Sequence, residues 1–407
     1  MINYIKKLWH QCFLEERSSL GISLFRVAVA FTTGAHVIPS FFHMQDNYFV
    51  TAYKRLNPNF FTVDVLELVM KSPEWLIYSL AVLFCVSCLF FLIGFFSQFS
   101  CIVMTLSCYY FYALNAFHVG TLSWDILFVT LFLMCLTPYH GDYFSMDCLK
   151  KGREAFRKKR PYFLQRLLQL QIGFIFFYTA LYKTTAEGNW ITENPIFSIM
   201  NYPLAGTTKW FLFRDFLKVQ PELCYAIGIA IVVVEYLMIF LLFYRKTRIT
   251  AIYLGCFFHI LLMLTLDVPA TFFFLFPPQL FLFINPDHVL SWIENKRAFN
   301  QSAQRAKLIY DGRCQICRRS VIRLEAMDLF ATLEMVDLHD INDYAEVHPE
   351  LTKEKTLKQI CLVDVNGELY WGFSVFRRIC FTMPMLYPLI PFFYFPGMGI
   401  LGPVVYR

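Results

Sequence analysis

Eight apolar stretches, near residues 20–42, 75–96, 99–118, 122–138, 163–183, 223–244, 248–267 and 270–285, follow one another along the first two thirds of the chain. Each is close to the roughly 20 residues that a helix needs to cross a bilayer. The pattern therefore predicts a polytopic α-helical membrane domain of about eight transmembrane helices, spanning 20–290. The fourth and eighth stretches are short, and Pro277 with Pro278 interrupts the last. Composition agrees: 57% of residues are hydrophobic, 16% are charged and 46 are Phe, outside the range of soluble globular chains.

Charge in the connecting segments gives an expected orientation. Lys150, Lys151, Arg153, Arg157, Lys158, Lys159 and Arg160 crowd the segment 138–162, and Arg245, Lys246 and Arg248 follow the sixth stretch. Lys and Arg accumulate on the cytoplasmic side. Counting from these two segments places both termini in the cytoplasm, as for a bacterial inner-membrane protein, with the 43–74 and 184–222 loops outside. At the start, Ile2, Ile5, Leu8, Trp9, Cys12 and Phe13 recur at helical spacing, which predicts an interfacial amphipathic helix over 1–19 lying on the bilayer. A cleavable signal peptide would need a short apolar core and a small-residue cleavage site, and neither is seen.

The basic residues sit in loops and do not form a face interleaved with aromatics, so no nucleic-acid partner is expected. Six of the cysteines, Cys85, Cys88, Cys101, Cys108, Cys135 and Cys256, lie inside apolar runs, where cysteine packs as a small hydrophobe. A secreted disulfide scaffold is excluded on that ground. Cys85 and Cys88 share one helix face; two apolar side chains are the reading favoured over an electron relay.

After a linker at 291–305 the pattern changes to that of a small α/β domain over 306–407. AKLIYD reads as a strand, the CQIC segment opens a helix running to about Leu329, and TLEMVDL reads as a second strand. QICLVDV and ELYWG flank Asn366-Gly367, a hairpin signal, and FSVFRRIC reads as a closing helix. This is the order of a thioredoxin-like fold. The last segment is apolar, but Pro384, Pro388, Pro391, Pro396 and Pro403 argue against a continuous helix; it is expected to pack on the α/β domain or to rest at the membrane surface.

The sequence DGRCQICRRS, from Asp311 to Ser320, carries the chemistry. A Cys-x-x-Cys at a helix N-terminus sets the first sulfur beside unpaired backbone N–H groups and the positive end of the helix dipole, which raises its thiolate fraction. Cys314 is then the attacking thiol and Cys317, one turn on, the resolving thiol. Arg313, Arg318 and Arg319 add positive potential, and Asp311 is a capping or proton-handling carboxylate. Dithiol exchange of this kind requires no cofactor. A zinc half-site is the alternative; it needs a second ligand pair, for which Cys361 with Cys380 is badly spaced and His339 and His348 remain open. The strand before the motif and the helix after it favour redox chemistry, and no metal is expected. The motif, the Asn366-Gly367 hairpin, the stretch Gly372 to Arg378 and the terminal Val-Tyr-Arg resemble the DCC thiol-disulfide oxidoreductase family. The resemblance implies a thioredoxin-like fold and thiol-disulfide exchange. No proline directly precedes QICLVDV, so the cis-proline that holds a peptide substrate in ordinary thioredoxins is not evident.

Ionisable residues inside apolar spans mark function or an internal pair. Under the topology above, His36, His118, Asp125, Lys183 and Asp267 fall toward the outer leaflet, Glu235 and His259 near the midplane, and Arg26 nearer the inside. They predict an outward-facing polar pocket, with Lys183 and Asp125 as its first candidate pair; mutual satisfaction in a structural network is the alternative. QLQIGFIFFYTALYK followed by Trp190, with YFSMD at 143–147, Asn115 and Asp125, resembles the horizontally transferred transmembrane domain, which also forms the membrane part of vitamin K-dependent gamma-carboxylases. That likeness implies two adjacent lysines, the second being the base. Here Lys183 matches the first and Thr184 stands in the second place. Threonine has no accessible base chemistry near neutral pH, so carboxylation is not expected unless Lys183 takes over as the base. A quinone or lipid pocket remains open, with Phe174, Phe176, Phe177 and Tyr178 as aromatic walls.

The sequence thus predicts a membrane-anchored thiol-disulfide oxidoreductase working on a thiol or disulfide protein or small molecule. The cytosol would favour the reductase direction. Two alternatives stand beside it: a quinone- or lipid-linked membrane enzyme or carrier served by the dithiol, and a non-enzymatic scaffold.

Overall fold

The computed structural model describes residues 2–49, 69, 71–114, 122–149, 159–185, 189–201, 214–265 and 273–406. The chain divides into two compact units, Met1–Asp147 with Lys159–Pro286, and Cys148–Lys158 with Asp287–Arg407.

In the first unit, α1 (Ile2–Trp9) leads through a π-helical turn to β1 (Glu16–Ser18) and then to the long helix α2 (Leu20–Phe41). Helices α3 (Glu74–Ile93), α4 (Ser97–Leu114) and α5 (Leu122–Cys135) follow. A short strand β2 (Lys159–Pro161) pairs antiparallel with β1. The unit is completed by α6 (Phe163–Thr185), α7 (Pro221–Phe243), α8 (Arg248–Thr265) and α9 (Phe276–Phe281). One apolar core runs through these helices, with Phe25, Val29, Phe84, Phe111, Leu127, Leu168, Met238 and Phe283 all buried.

Three of the predicted stretches, α2, α3 and α7, are long and apolar enough to cross a membrane among the described residues. Helix α6 is as long as α7 but carries Gln165, Gln169 and Gln171, and these work inside the unit. Gln165 and Gln169 donate to the Leu282 carbonyl at 2.5 and 2.7 Å, and Gln279 of α9 donates to the Leu168 carbonyl at 2.9 Å. The eighth predicted span is described only in part, residues 270–272 lying outside the described residues. Within 270–285 the described chain turns at Leu275 and continues as the six residues of α9, with Pro277 and Pro278 in its first turn. At 1.5 Å per residue that is about 9 Å of helix, well short of a bilayer.

The YFSMD segment is a clamp at the helix ends. The Asp147 carboxylate accepts the N–H groups of Phe96 and Ser97 at 3.0 and 2.8 Å, capping α4, while the Ser18 hydroxyl donates to Tyr143 at 3.0 Å. Arg26, fully buried, donates to the carbonyls of His140 and Phe144 at 3.0 and 2.5 Å. Gly94 (φ +68°) passes so close that a Cβ there would stand 2.5 Å from the Arg26 guanidinium. An ionisable residue inside a predicted span is thus accounted for by backbone carbonyls.

The main part of the second unit, Asp287–Arg407, starts within α10 (Pro286–Ser302), so most of the expected linker at 291–305 is helix. Then come β3 (Ala306–Tyr310), α11 (Gln315–Met327), β4 (Leu333–Asp337), β5 (Cys361–Val363), β6 (Leu369–Trp371) and α12 (Phe373–Thr382). The sheet order is β4-β3-β5-β6, with β3 and β4 parallel and the other pairs antiparallel. Side chains alternate across a strand. Leu308 and Leu362 face one cluster with Val321, Leu324 and Val375, while Ile309 and Cys361 face another with Leu338 and Leu351. The β5–β6 hairpin turns at Asn366-Gly367, where Gly367 takes φ +79°. After α12 the proline-rich segment breaks as expected into Pro384–Phe393 and α13 (Met398–Tyr406), bent by 110°.

Candidate functional site

The dithiol lies between β3 and α11. Cys314 is the N-cap of α11, and its Sγ accepts the Cys317 N–H at 3.4 Å. The loop before it is tied down at each residue. The Asp311 carbonyl accepts the Cys314 N–H at 3.2 Å, and the Asp311 carboxylate accepts the Arg313 N–H at 2.9 Å. The Gly312 N–H donates to Asp337 at the end of β4 at 3.1 Å. Glycine is required there, because a Cβ would fall 1.8 Å from the Asp337 carboxylate.

These contacts set the thiols apart. The Cys317 N–H and side chain together hold the Cys314 thiol below its ordinary value, against the opposing charge of Asp311. Burial first, then the neighbouring Cys314, pushes the Cys317 thiol up to about 11. The Arg313 N–H first, then His339, lowers the Asp311 carboxyl. Arg313, Arg318 and Arg319 are all exposed around the motif, as is Ile316 between the two cysteines.

His339 is the residue that sequence reading placed elsewhere. It was open as a zinc ligand; its Nε2 lies 3.1 Å from the Asp311 carboxylate. The parallel register is the signal that could have found it. Tyr310 stands opposite Asp337, so the residues just after each strand must meet. Of the other zinc candidates, His348 pairs with the Gly367 carbonyl at 3.1 Å, and Cys361 is buried and pushed up to about 12. Among the described residues, no three His, Cys, Asp or Glu side chains group as a metal set.

A second candidate site is a cavity of about 660 Å³ in the membrane unit, lined by residues of α5, α6, α7, α8 and α9 and of the short helix Pro195–Asn201. Asp125, Lys183, Glu235 and His259 all line it, among isoleucines and the rings of Phe176, Phe258 and Phe276. The expected pair is corrected. Lys183 donates to both oxygens of Glu235, at 2.5 and 2.6 Å, because α6 packs along α7. Asp125 accepts instead from Tyr112, at 2.9 Å. Lys183 also lies 5.0 Å from the Trp190 ring. His259 is 3% exposed, and neither ring nitrogen has a hydrogen-bond partner among the described residues.

His36 stacks edge-on against Trp124 at 4.8 Å and does not line the cavity. Phe176 and Tyr178 line it, and Phe174 and Phe177 do not. His118, Asp267 and Asn115 lie outside the described residues. Thr184, in the second lysine's place, meets the Tyr236 hydroxyl at 2.7 Å. Cys88 donates to the Ala30 carbonyl at 3.1 Å and packs between helices.

The family model of the HTTM domain matches residues 15–288, most of the chain. The chain belongs to the HTTM family. Residues 308–407 match a second model, the DCC1-like thiol-disulfide oxidoreductase. This HTTM protein is therefore membrane-associated and ends in a domain of redox type, as the motifs implied. It is also similar to an uncharacterized chloroplastic protein of Arabidopsis thaliana, 28% identical over 95 residues, which are 23% of this chain and 44% of that protein. The match thus spans less than half of the relative's length. No solved structure matches.

Proposed function

We propose that this HTTM protein is a membrane-anchored thiol-disulfide oxidoreductase in which Cys314 attacks and Cys317 resolves. The observation that carries this reading is the Cys314 sulfur capping α11 at 3.4 Å from the Cys317 N–H. The Cys314 thiolate attacks one sulfur of a substrate disulfide, forming a mixed disulfide and releasing the other sulfur as a thiolate. Cys317 then loses its proton and attacks Cys314, which releases the second substrate sulfur. Two electrons pass to the substrate, and the chain is left with a Cys314–Cys317 disulfide. The Cys317 proton goes to the substrate thiolate released in the first step, while Asp311, hydrogen-bonded to His339, sets the negative charge that both thiols feel. The basic segments 138–162 and 245–248 support placing this domain in the cytoplasm, where the reducing poise runs the reaction toward substrate reduction.

Trapping tests the reading. Cys317→Ser should accumulate a mixed disulfide on Cys314 that dithiothreitol releases, and Cys314→Ser should abolish both trapping and insulin reduction. Insulin reduction surviving in Cys314→Ser would overturn it.

A second reading concerns the membrane cavity and rests on His259, a buried imidazole with no partner among the described residues, which costs free energy unless something binds it. The residues suit a quinone: Phe176, Phe258 and Phe276 offer ring faces and His259 a hydrogen bond to a carbonyl. A bound quinone would supply a two-electron couple. Lys183, held by Glu235, anchors one wall and is not a free base, and carboxylation forms no part of the reading. A short-chain quinone should quench tryptophan fluorescence in the full chain and lose affinity about tenfold in His259→Phe, one hydrogen bond's worth. Equal affinity in both proteins would rule His259 out.

A further inference from the structure

Between Arg378 and Arg407 the chain carries no Asp, Glu, Lys, Arg or His. This run makes the two arms Pro384–Phe393 and α13, bent by 110° across a break that includes Pro396 and Gly397. One side of the bent pair is built into the thiol unit. Leu386 lies in the core with Val375 and Met383, the Tyr406 hydroxyl accepts the Ile360 N–H at 3.1 Å, and a Cβ on Gly402 would fall 2.1 Å from the Phe373 ring. The other side is bare: Phe392, Phe395, Ile400 and Val405 are 59%, 67%, 77% and 84% exposed. Grouped apolar surface of that kind marks a binding face.

We infer that this bent pair is a membrane foot, its bare face seated in the headgroup and acyl-chain boundary of the bilayer that the chain's own spans cross. The first arm, six residues of 3-10 helix and four of α-helix, is about 18 Å long and α13 about 14 Å, each well short of the roughly 30 Å hydrocarbon thickness, so the foot dips in and does not cross. At its base the Arg377 guanidinium lies 4.0 Å over the Tyr394 ring, and Tyr387 is half exposed. Arginine and tyrosine of this kind settle at the boundary, with apolar bodies inward and polar tips in water. The bilayer is the occupant, not a soluble protein, for two reasons. A run without one charge offers no polar pairs to specify a protein partner. The membrane unit of the same chain also keeps lipid at a high effective concentration. The foot does not depend on the redox reading, since none of its residues belongs to the dithiol loop.

The test uses the full chain in lipid nanodiscs, which leave both leaflets open to water. An amino acid with a nitrobenzoxadiazole side chain replaces Ile400 or, separately, Val404, with Val365 in the β5–β6 turn as control. Nitroxide-labelled acyl chains should quench the probes at 400 and 404 several-fold more than the one at 365. Aqueous dithionite should bleach residue 365 several-fold faster. Equal bleaching at all three would overturn the foot, as would protection at 400 and 404 without nitroxide quenching, which means a protein cover. Two probe positions guard against local disruption by either one.

Discussion

The dithiol loop and the membrane cavity handle charge in opposite ways. At the loop, charge is met first by backbone: Cys314 takes the Cys317 N–H, and Asp311 takes the Arg313 N–H with His339 beside it, in a setting open to water. In the cavity, charge is met by another side chain, Lys183 by Glu235, both shielded by apolar walls. Backbone donors stay in place whatever a side chain does, so the loop suits groups that change charge or form bonds during a reaction. A buried pair has no such reserve. Removing one member strands the other, so single replacements in the cavity should register as stability and those in the loop as reactivity.

The largest effect expected from that contrast is at Glu235. Glu235→Gln leaves Lys183 without a counter-charge, and breaking a buried pair costs about 3–5 kcal/mol. Thermal unfolding of the detergent-solubilised chain reads the loss, and the double variant Lys183→Met with Glu235→Leu should recover most of it. The alkylation rate of Cys314 should not change in either. If the thiol slowed in step with the lost stability, the two regions would not be separate in the way argued.

Next in size is Gly312→Ala. Its Cβ would fall 1.8 Å from the Asp337 carboxylate, so the loop or β4 must move. Overpacking of this sort costs about 1–3 kcal/mol, and here it also pulls the Cys317 N–H off the Cys314 sulfur. Slower alkylation of Cys314 at neutral pH, with the membrane unit's melting unaltered, is the expected result. Unchanged alkylation would mean that the helix end, not the Gly312–Asp337 tie, positions the thiol.

Legibility in the sequence follows the same divide. The second unit was readable strand by strand, because its signals are local: alternation in AKLIYD, Asn366-Gly367 at the turn, and prolines that break the last segment. The pairing of Asp311 with His339 was not, since it arises from strand register between residues 28 apart. In the membrane unit, the apolar stretches gave the helices but not their neighbours. Depth alone points Lys183 toward Asp125, whereas α6 packing along α7 delivers Glu235. Hydropathy also reads the buried glutamines of α6 as polar interruptions, although they bind the Leu282 carbonyl inside the unit.

The smallest effect, and the most direct on the loop, is in pH. Cys314 has a lowered pKa, so its stabilising contribution is complete above its ordinary value of 9.0 and is lost as pH falls through the lowered one. Cys317, raised to about 11, contributes below 9.0 and loses that contribution as pH climbs from 9.0 toward 11. Stability of the second unit should therefore rise toward pH 9 and decline beyond it, and Cys317→Ser should remove the decline while flattening the rise only as far as the serine hydroxyl fails to replace the thiol beside Cys314. Asp311→Asn then isolates the carboxylate. Its amide oxygen can keep the Arg313 N–H while the negative charge that opposes both thiolates is gone. The pH midpoint for alkylation of Cys314 should move down. A midpoint that moves up would mean that Asp311 acts on the thiol by holding the loop in shape, and that its charge counts for less than its hydrogen bonds.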